Sequence, residues 1–196
     1  GITAQFWAAY VSCDSNFKDA VRQTFEQIDV IHRFAEMYPN YLKMVGTVEE
    51  FETALENDQI ASLIGVEGGH SIDSSLEVLR AYYELGVRYM TLAHNCNPPW
   101  IDNNQQDDLS KNHLKKSDDY IGGLAPFAAN VILEMNRLGM MIDLSHVSAE
   151  AMEQALKISK APIIFSHSSS RGVYNHHRNV PDYILPLVKE NQGLIM

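Results

Sequence analysis

Short apolar runs alternate along this chain with amphipathic stretches of helical period. Ile2–Tyr10, Ile60–Val66, Val87–Ala93, Met140–Leu144, Pro162–Phe165 and Gly193–Met196 are predominantly apolar, the pattern of strands buried on both faces. After the first run, Asp14-Ser15-Asn16 supplies an N-cap for a helix reaching about Met37. Val21, Phe25, Ile28 and Ile31 sit at helical spacing within it, and Pro39 lies past its end. Thr47 with Glu50, and Ser74 with Glu77, have capping-box spacing and open helices running to about Glu56 and to Gly86. Three more helices are predicted over Pro126–Leu138 (stopped by Gly139), Ser148–Ser159 and Pro181–Glu190. From Asn95 to Gly123 the periodicity dissolves. Asn97-Pro98-Pro99-Trp100 is turn chemistry, and Asp102–Asp119 reads as a mobile surface segment within a lid or insert.

Strand and helix in alternation predict a parallel α/β architecture in one domain spanning 1–196. The expected fold is an incomplete (β/α)8 TIM barrel holding about six of the eight strands. A doubly wound open sheet has the same alternation and stays open as the rival. Gly1 and Met196 both fall inside apolar runs, so the chain is expected to be a piece of a longer protein.

With 196 residues, 45% of them hydrophobic, the chain can bury a sizeable core. Its net charge of −10 argues against nucleic acid and anionic membrane as electrostatic partners. No run reaches the length of a membrane span, and no signal-peptide pattern opens the chain. Cys13 and Cys96 allow one pairing. By count alone free thiols are as compatible as a bridge, but both follow strand-like runs and would share one face of a barrel, which favours pairing. A bridge implies an oxidising compartment.

Candidate chemistry gathers at strand ends. Glu67 stands among glycines in Gly65-Val66-Glu67-Gly68-Gly69-His70, which would let backbone crowd a ligand there. His146 and His167 end strands one β/α unit apart, and neutral imidazole is the commonest zinc ligand. Asp143 could orient a ligand or fix backbone. His94 could be a fourth ligand or an unmetallated group facing a developing oxyanion. Arg178 follows the strand ending at His167 and would suit a substrate carboxylate. His32, His113, His176 and His177 read as surface residues.

Several segments together resemble the membrane (renal) dipeptidases, zinc exopeptidases on a TIM barrel. They are Gln5-Phe6-Trp7, Leu63 to Ser71, Asn97-Pro98-Pro99-Trp100, Asp143 to Ser148, Phe165-Ser166-His167-Ser168 and Arg178-Asn179-Val180-Pro181. The resemblance implies hydrolysis of the peptide bond of dipeptides by hydroxide held between two zinc ions. Glu67 would bridge both ions, and His146 and His167 would hold the second. His94 would act on the scissile carbonyl without binding metal, and Arg178 would bind the dipeptide's free carboxylate. Cys13 and Cys96 match a family disulfide. The first zinc's His-x-Asp pair would lie upstream of Gly1 and a late Asp beyond Met196, so the isolated segment is expected to be inactive; a catalytically inactive scaffold is the alternative. Dipeptide substrates, a homodimer, and attachment to the outer face of the plasma membrane through a GPI-type lipid anchor outside the segment, or secretion, complete what the resemblance implies.

Overall fold

In the computed structural model, which describes residues 1–108 and 119–196, the named strands pair only in parallel. Strands β1 (Ala4–Tyr10), β3 (Ile60–Glu67), β4 (Val87–Thr91), β5 (Met141–Asp143), β6 (Ile164–Phe165) and β7 (Leu194–Ile195) follow one another across the sheet in chain order. A doubly wound sheet reverses its strand order at a switch point, and this one does not, which removes the rival. Short β2 (Leu42–Met44) pairs with the start of β3. It is absent from the sequence reading because three residues carry no period.

Helices α1 (Ala20–Met37), α2 (Val48–Glu56), α3 (Leu76–Glu84), α4 (Pro126–Leu138), α5 (Ala149–Ile158) and α6 (Leu185–Asn191) connect the strands. The apolar stripes of α4 and α5, including Val131, Ile132, Met135, Met152 and Ala155, share one core with the strand residues Ile64, Val66, Met90, Ile142 and Phe165. Phe6 and Ala8 of β1 line the same cavity as Ile164 and Met196 at the other end of the sheet. Its volume is about 390 Å³ and Glu67 borders it. The sheet is therefore curled toward itself, as an incomplete barrel is.

Local chemistry moved three helix starts. Asp14 and Ser15 enter a 3-10 turn (Cys13–Ser15), where the Ser12 side chain accepts from the Asp14 N–H, and α1 begins only at Ala20. Ser75, not Ser74, caps α3. Ser74 sits at φ 55°, while the Ser75 hydroxyl accepts the Val78 N–H at 3.2 Å. The chain turns once past Pro181 before α6 starts at Leu185. The Thr47–Glu50 capping box forms with both reciprocal bonds.

The expected mobile surface segment is corrected in its first part. Trp100, Ile101, Asp102, Asn103 and Asn104 are all buried. The Asp102 carboxylate accepts N–H bonds from Ile121, Gly122 and Gly123, so a polar sequence is folded inward by satisfying its own backbone. Residues 109–118, with His113 among them, lie outside the described residues. Replacing Asp102 by Ala takes the carboxylate from those donors, of which the Gly123 N–H is buried. We expect a loss of about 1–3 kcal/mol, read as a lowered unfolding midpoint of this chain; an unchanged midpoint would remove the carboxylate from the account.

Candidate active site

All strands of a parallel sheet point their C-terminal ends to one rim, so residues just past β3, β4, β5 and β6 must meet there. Glu67 ends β3. His94, His146 and His167 follow β4, β5 and β6 within a few residues. Oε1 of Glu67 lies 3.5 Å from Nε2 of His146 and 3.3 Å from Nε2 of His167. The two Nε2 atoms are 2.9 Å apart. Among the described residues, the ligand atoms of Glu67, His146 and His167 all lie within 4.8 Å of one another.

The sequence left Asp143 open between orienting a ligand and fixing backbone, and its contacts serve both ends. Asp143, buried at the end of β5, accepts hydroxyl bonds from Thr91 and Ser166 at 2.6 Å each, and backbone N–H bonds from Ser145 and Ser166 at 3.0 and 2.9 Å. The Ser166 proton is thus committed to Asp143, and its oxygen must accept the Nδ1–H of His167, 2.7 Å away. Asn95 Oδ1 stands 3.3 Å from Nδ1 of His146 and accepts its N–H likewise. Both rings then turn bare Nε2 lone pairs toward each other and toward a carboxylate. Three acceptors in van der Waals contact repel unless a positive charge sits among them, and a cation of tetrahedral N/O preference suits that donor set. His146 also holds a left-handed backbone, φ 70°, the kind of strain that gathers at functional sites.

Electrostatics favour the ligand forms. The His146 side chain beside it, ahead of the other histidines, holds the Glu67 carboxyl below its ordinary value, outweighing burial, which acts the other way. Burial first, then the Arg178 charge, depresses His167, so its lone pair is offered at neutral pH. His94 is pushed down to about 4, chiefly by burial and next by His146. It stands outside the three-ligand set, its Nε2 3.8 Å from Glu67 Oε1, stacked on His146 with ring centres 4.2 Å apart and flanked by Tyr10 at 4.8 Å. Cys13 and Cys96 form a disulfide beside it, with Cys13 Sγ 3.9 Å from its Nδ1.

Arg178 is partly buried on the same rim, its guanidinium donating to the His167 carbonyl at 3.2 Å and the Ser168 hydroxyl at 3.4 Å. The glycines around Glu67 have another reason than ligand access. A Cβ on Gly65 would meet the Tyr89 ring at 2.0 Å, and one on Gly69 would meet the Leu92 carbonyl at 2.2 Å. Gly68, at φ 120°, alone takes a backbone that side chains rarely adopt. Two surface assignments also change. His32 is held by the Leu85 carbonyl at 2.8 Å, and the His177 ring lies 3.9 Å from Asp108 with only 20% of its side chain exposed. His176 is exposed, stacked on His177. Asn95 and Ser166, which hold the two rings, were passed over by sequence reasoning. For Ser166 a signal existed, since Ser-His recurs as Ser145-His146 and Ser166-His167 at successive strand ends.

The whole chain, residues 1–196, matches the model of the membrane dipeptidase family, peptidase family M19. The chain belongs to that family. Dipeptidase 3 of Mus musculus is 48% identical over 196 residues, covering all of this chain and 38% of that protein. This M19 chain thus spans well under half the length of that relative. Its fold is shared with the probable dipeptidase PvdM from Pseudomonas aeruginosa, at TM-score 0.85 and 23% identity over 99% of this chain and 50% of that one. A metallo peptidase from Rhodobacter sphaeroides, liganded with a phosphinate mimic of the dipeptide L-Ala-D-Ala, matches at TM-score 0.82 and 20% identity over 98% and 60%. Membership in a metallopeptidase family implies a metal, and the donor set described above fits one.

The Asp143–Ser166–His167 relay generates a prediction. Ser166→Ala should weaken metal binding by about 10–100-fold in a titration while leaving the fold intact. Undiminished affinity would mean that the tautomer of His167 is set by something else.

Proposed function

We propose that the full-length protein containing this chain is a zinc-dependent dipeptidase, with Glu67, His146 and His167 as metal ligands, His94 acting on the scissile carbonyl and Arg178 binding the substrate carboxylate. One observation carries this: three bare acceptors converge beside an imidazole that is neutral at physiological pH, with a guanidinium on the same rim, in a chain of the M19 family. When bound, zinc would supply Lewis-acid polarisation and a water of lowered pKa. Glu67, which lines the cavity, would be the carboxylate among the residues that hold the metal.

The remaining work falls to this chain's side chains. His94 is neutral, so its Nε2 reaches the substrate as a hydrogen-bond donor or acceptor and not as a second positive charge. An Nε2–H would stabilise negative charge growing on the carbonyl oxygen. The stack on His146 and the Cys13–Cys96 bridge behind it fix the ring's direction. Arg178 already spends donors on the His167 carbonyl and the Ser168 hydroxyl, which locks its plane, and the rest of its fork would take a free α-carboxylate in two-point contact. That contact makes the site select short peptides ending one residue past the scissile bond and supplies orientation. The disulfide supports an oxidising location, extracellular and lipid-anchored or secreted. Among the described residues no helix is long and apolar enough to cross a membrane.

Two measurements on the full-length protein test this. Chelation should abolish dipeptide hydrolysis and added zinc should restore it; hydrolysis that survives thorough metal removal would refute the reading. Arg178→Lys loses the planar fork and should raise KM for dipeptides about tenfold with a smaller change in kcat; an unchanged KM would take the carboxylate away from Arg178.

A further inference from the structure

The loop that carries Arg178 has little regular structure, so something must decide where that guanidinium stands. Arg171 is placed to do so. Its Nε donates to the Asn179 carbonyl at 3.0 Å and its Nη2 to the His177 carbonyl at 3.1 Å, and these two carbonyls flank Arg178 on either side. The same Nη2 lies 3.4 Å from Oδ2 of Asp107. That carboxylate oxygen also accepts the N–H of Ala149 at 2.7 Å, and Ala149 is the first residue of α5, three positions past His146. Both side chains are largely buried, 22% and 19% exposed.

One carboxylate oxygen therefore joins the helix that follows a metal-ligand histidine to the fork that brackets Arg178. We infer that Asp107 and Arg171 are positioning residues which fix the distance between Arg178 and the metal-ligand set, and with it the preference for a substrate ending in a free carboxylate. The inference rests on the peptidase reading above. A planar guanidinium can hold two carbonyls and a carboxylate at once, whereas an ammonium is a point charge and cannot keep all three in register. Relaxing the clamp lets Arg178 drift from the carboxylate but leaves the ligands' own anchors, Asp143, Ser166 and Asn95, in place. Binding of the carboxylate should suffer while chemistry and metal content do not.

The test uses the full-length, metal-loaded protein and its Arg171→Leu, Arg171→Lys, Asp107→Asn and Arg171→Leu/Asp107→Asn variants. Four quantities are read: kcat and KM for a dipeptide, the same for its C-terminal amide, metal content, and calorimetric binding of a non-hydrolysable dipeptide mimic as acid and as amide. Arg171→Leu should raise KM for the free acid about tenfold, with kcat within about threefold and metal content unchanged, so that the acid-over-amide preference falls about tenfold. Asp107→Asn should show a smaller loss of the same kind, and the double variant should be no worse than Arg171→Leu, because the two act as one unit. If Arg171→Leu does not fold, Arg171→Lys carries the test with about a threefold loss of acid preference. An acid preference unchanged in a folded, metal-loaded variant overturns the inference, as does a fall in kcat and metal content with KM unmoved. Failure of the peptidase reading looks different, as absence of hydrolysis by the wild-type protein. Binding of the mimic then decides the clamp by the same comparison of acid with amide.

Discussion

One buried carboxylate, that of Asp143, holds the working rim of this chain together. It is fully shielded from solvent and receives four hydrogen bonds, from Thr91 at the end of β4, from Ser145 past β5 and twice from Ser166 past β6. A buried charge without such partners would cost several kcal/mol, so the donors cannot wander without penalty. The ends of three neighbouring strands are thereby kept at fixed separations. Two of those ends carry His146 and His167, and the ring orientation of His167 follows through the Ser166 hydroxyl. The convergence of Glu67, His146 and His167 is in this sense a consequence of how Asp143 is satisfied.

The same logic of satisfied polar groups explains the shelf that covers one side of the rim. Asp102 gathers the backbone of residues 121–123, Asn103 takes part in a bridge with Val147, and Asp107 caps the start of α5. These residues look like surface in a hydropathy pattern. They are inside because each has backbone donors to satisfy, a matter of partners distant in sequence.

Much of the architecture was legible. Predominantly apolar runs marked six strands, and the parallel sheet, the Thr47–Glu50 box and the stop at Gly139 all stand as read. Strand β2 was not legible, because three residues have no period, and the start of α3 slipped by one residue because Ser74 and Ser75 offer the same hydroxyl. Of the site, Glu67, His94, His146 and His167 were singled out at strand ends and Arg178 in the loop after the last of them, and the structure brings the first four within 4 Å of a neighbour in the group. Asn95, Ser166, Asp107 and Arg171 were passed over. Their residue types are common in loops, and only their partners give them meaning.

What the sequence determined by itself was therefore the order of elements, the class of sheet and the list of side chains delivered to one rim, since hydrophobic period and strand-end position are local properties. Tertiary structure decided the rest. It excluded the doubly wound sheet, put His94 beside the Glu67–His146–His167 cluster and not in it, and chose which imidazole nitrogen faces inward. The physical reason is common to all three: each depends on contacts between segments tens of residues apart, and the energy of such a contact is written in neither segment alone.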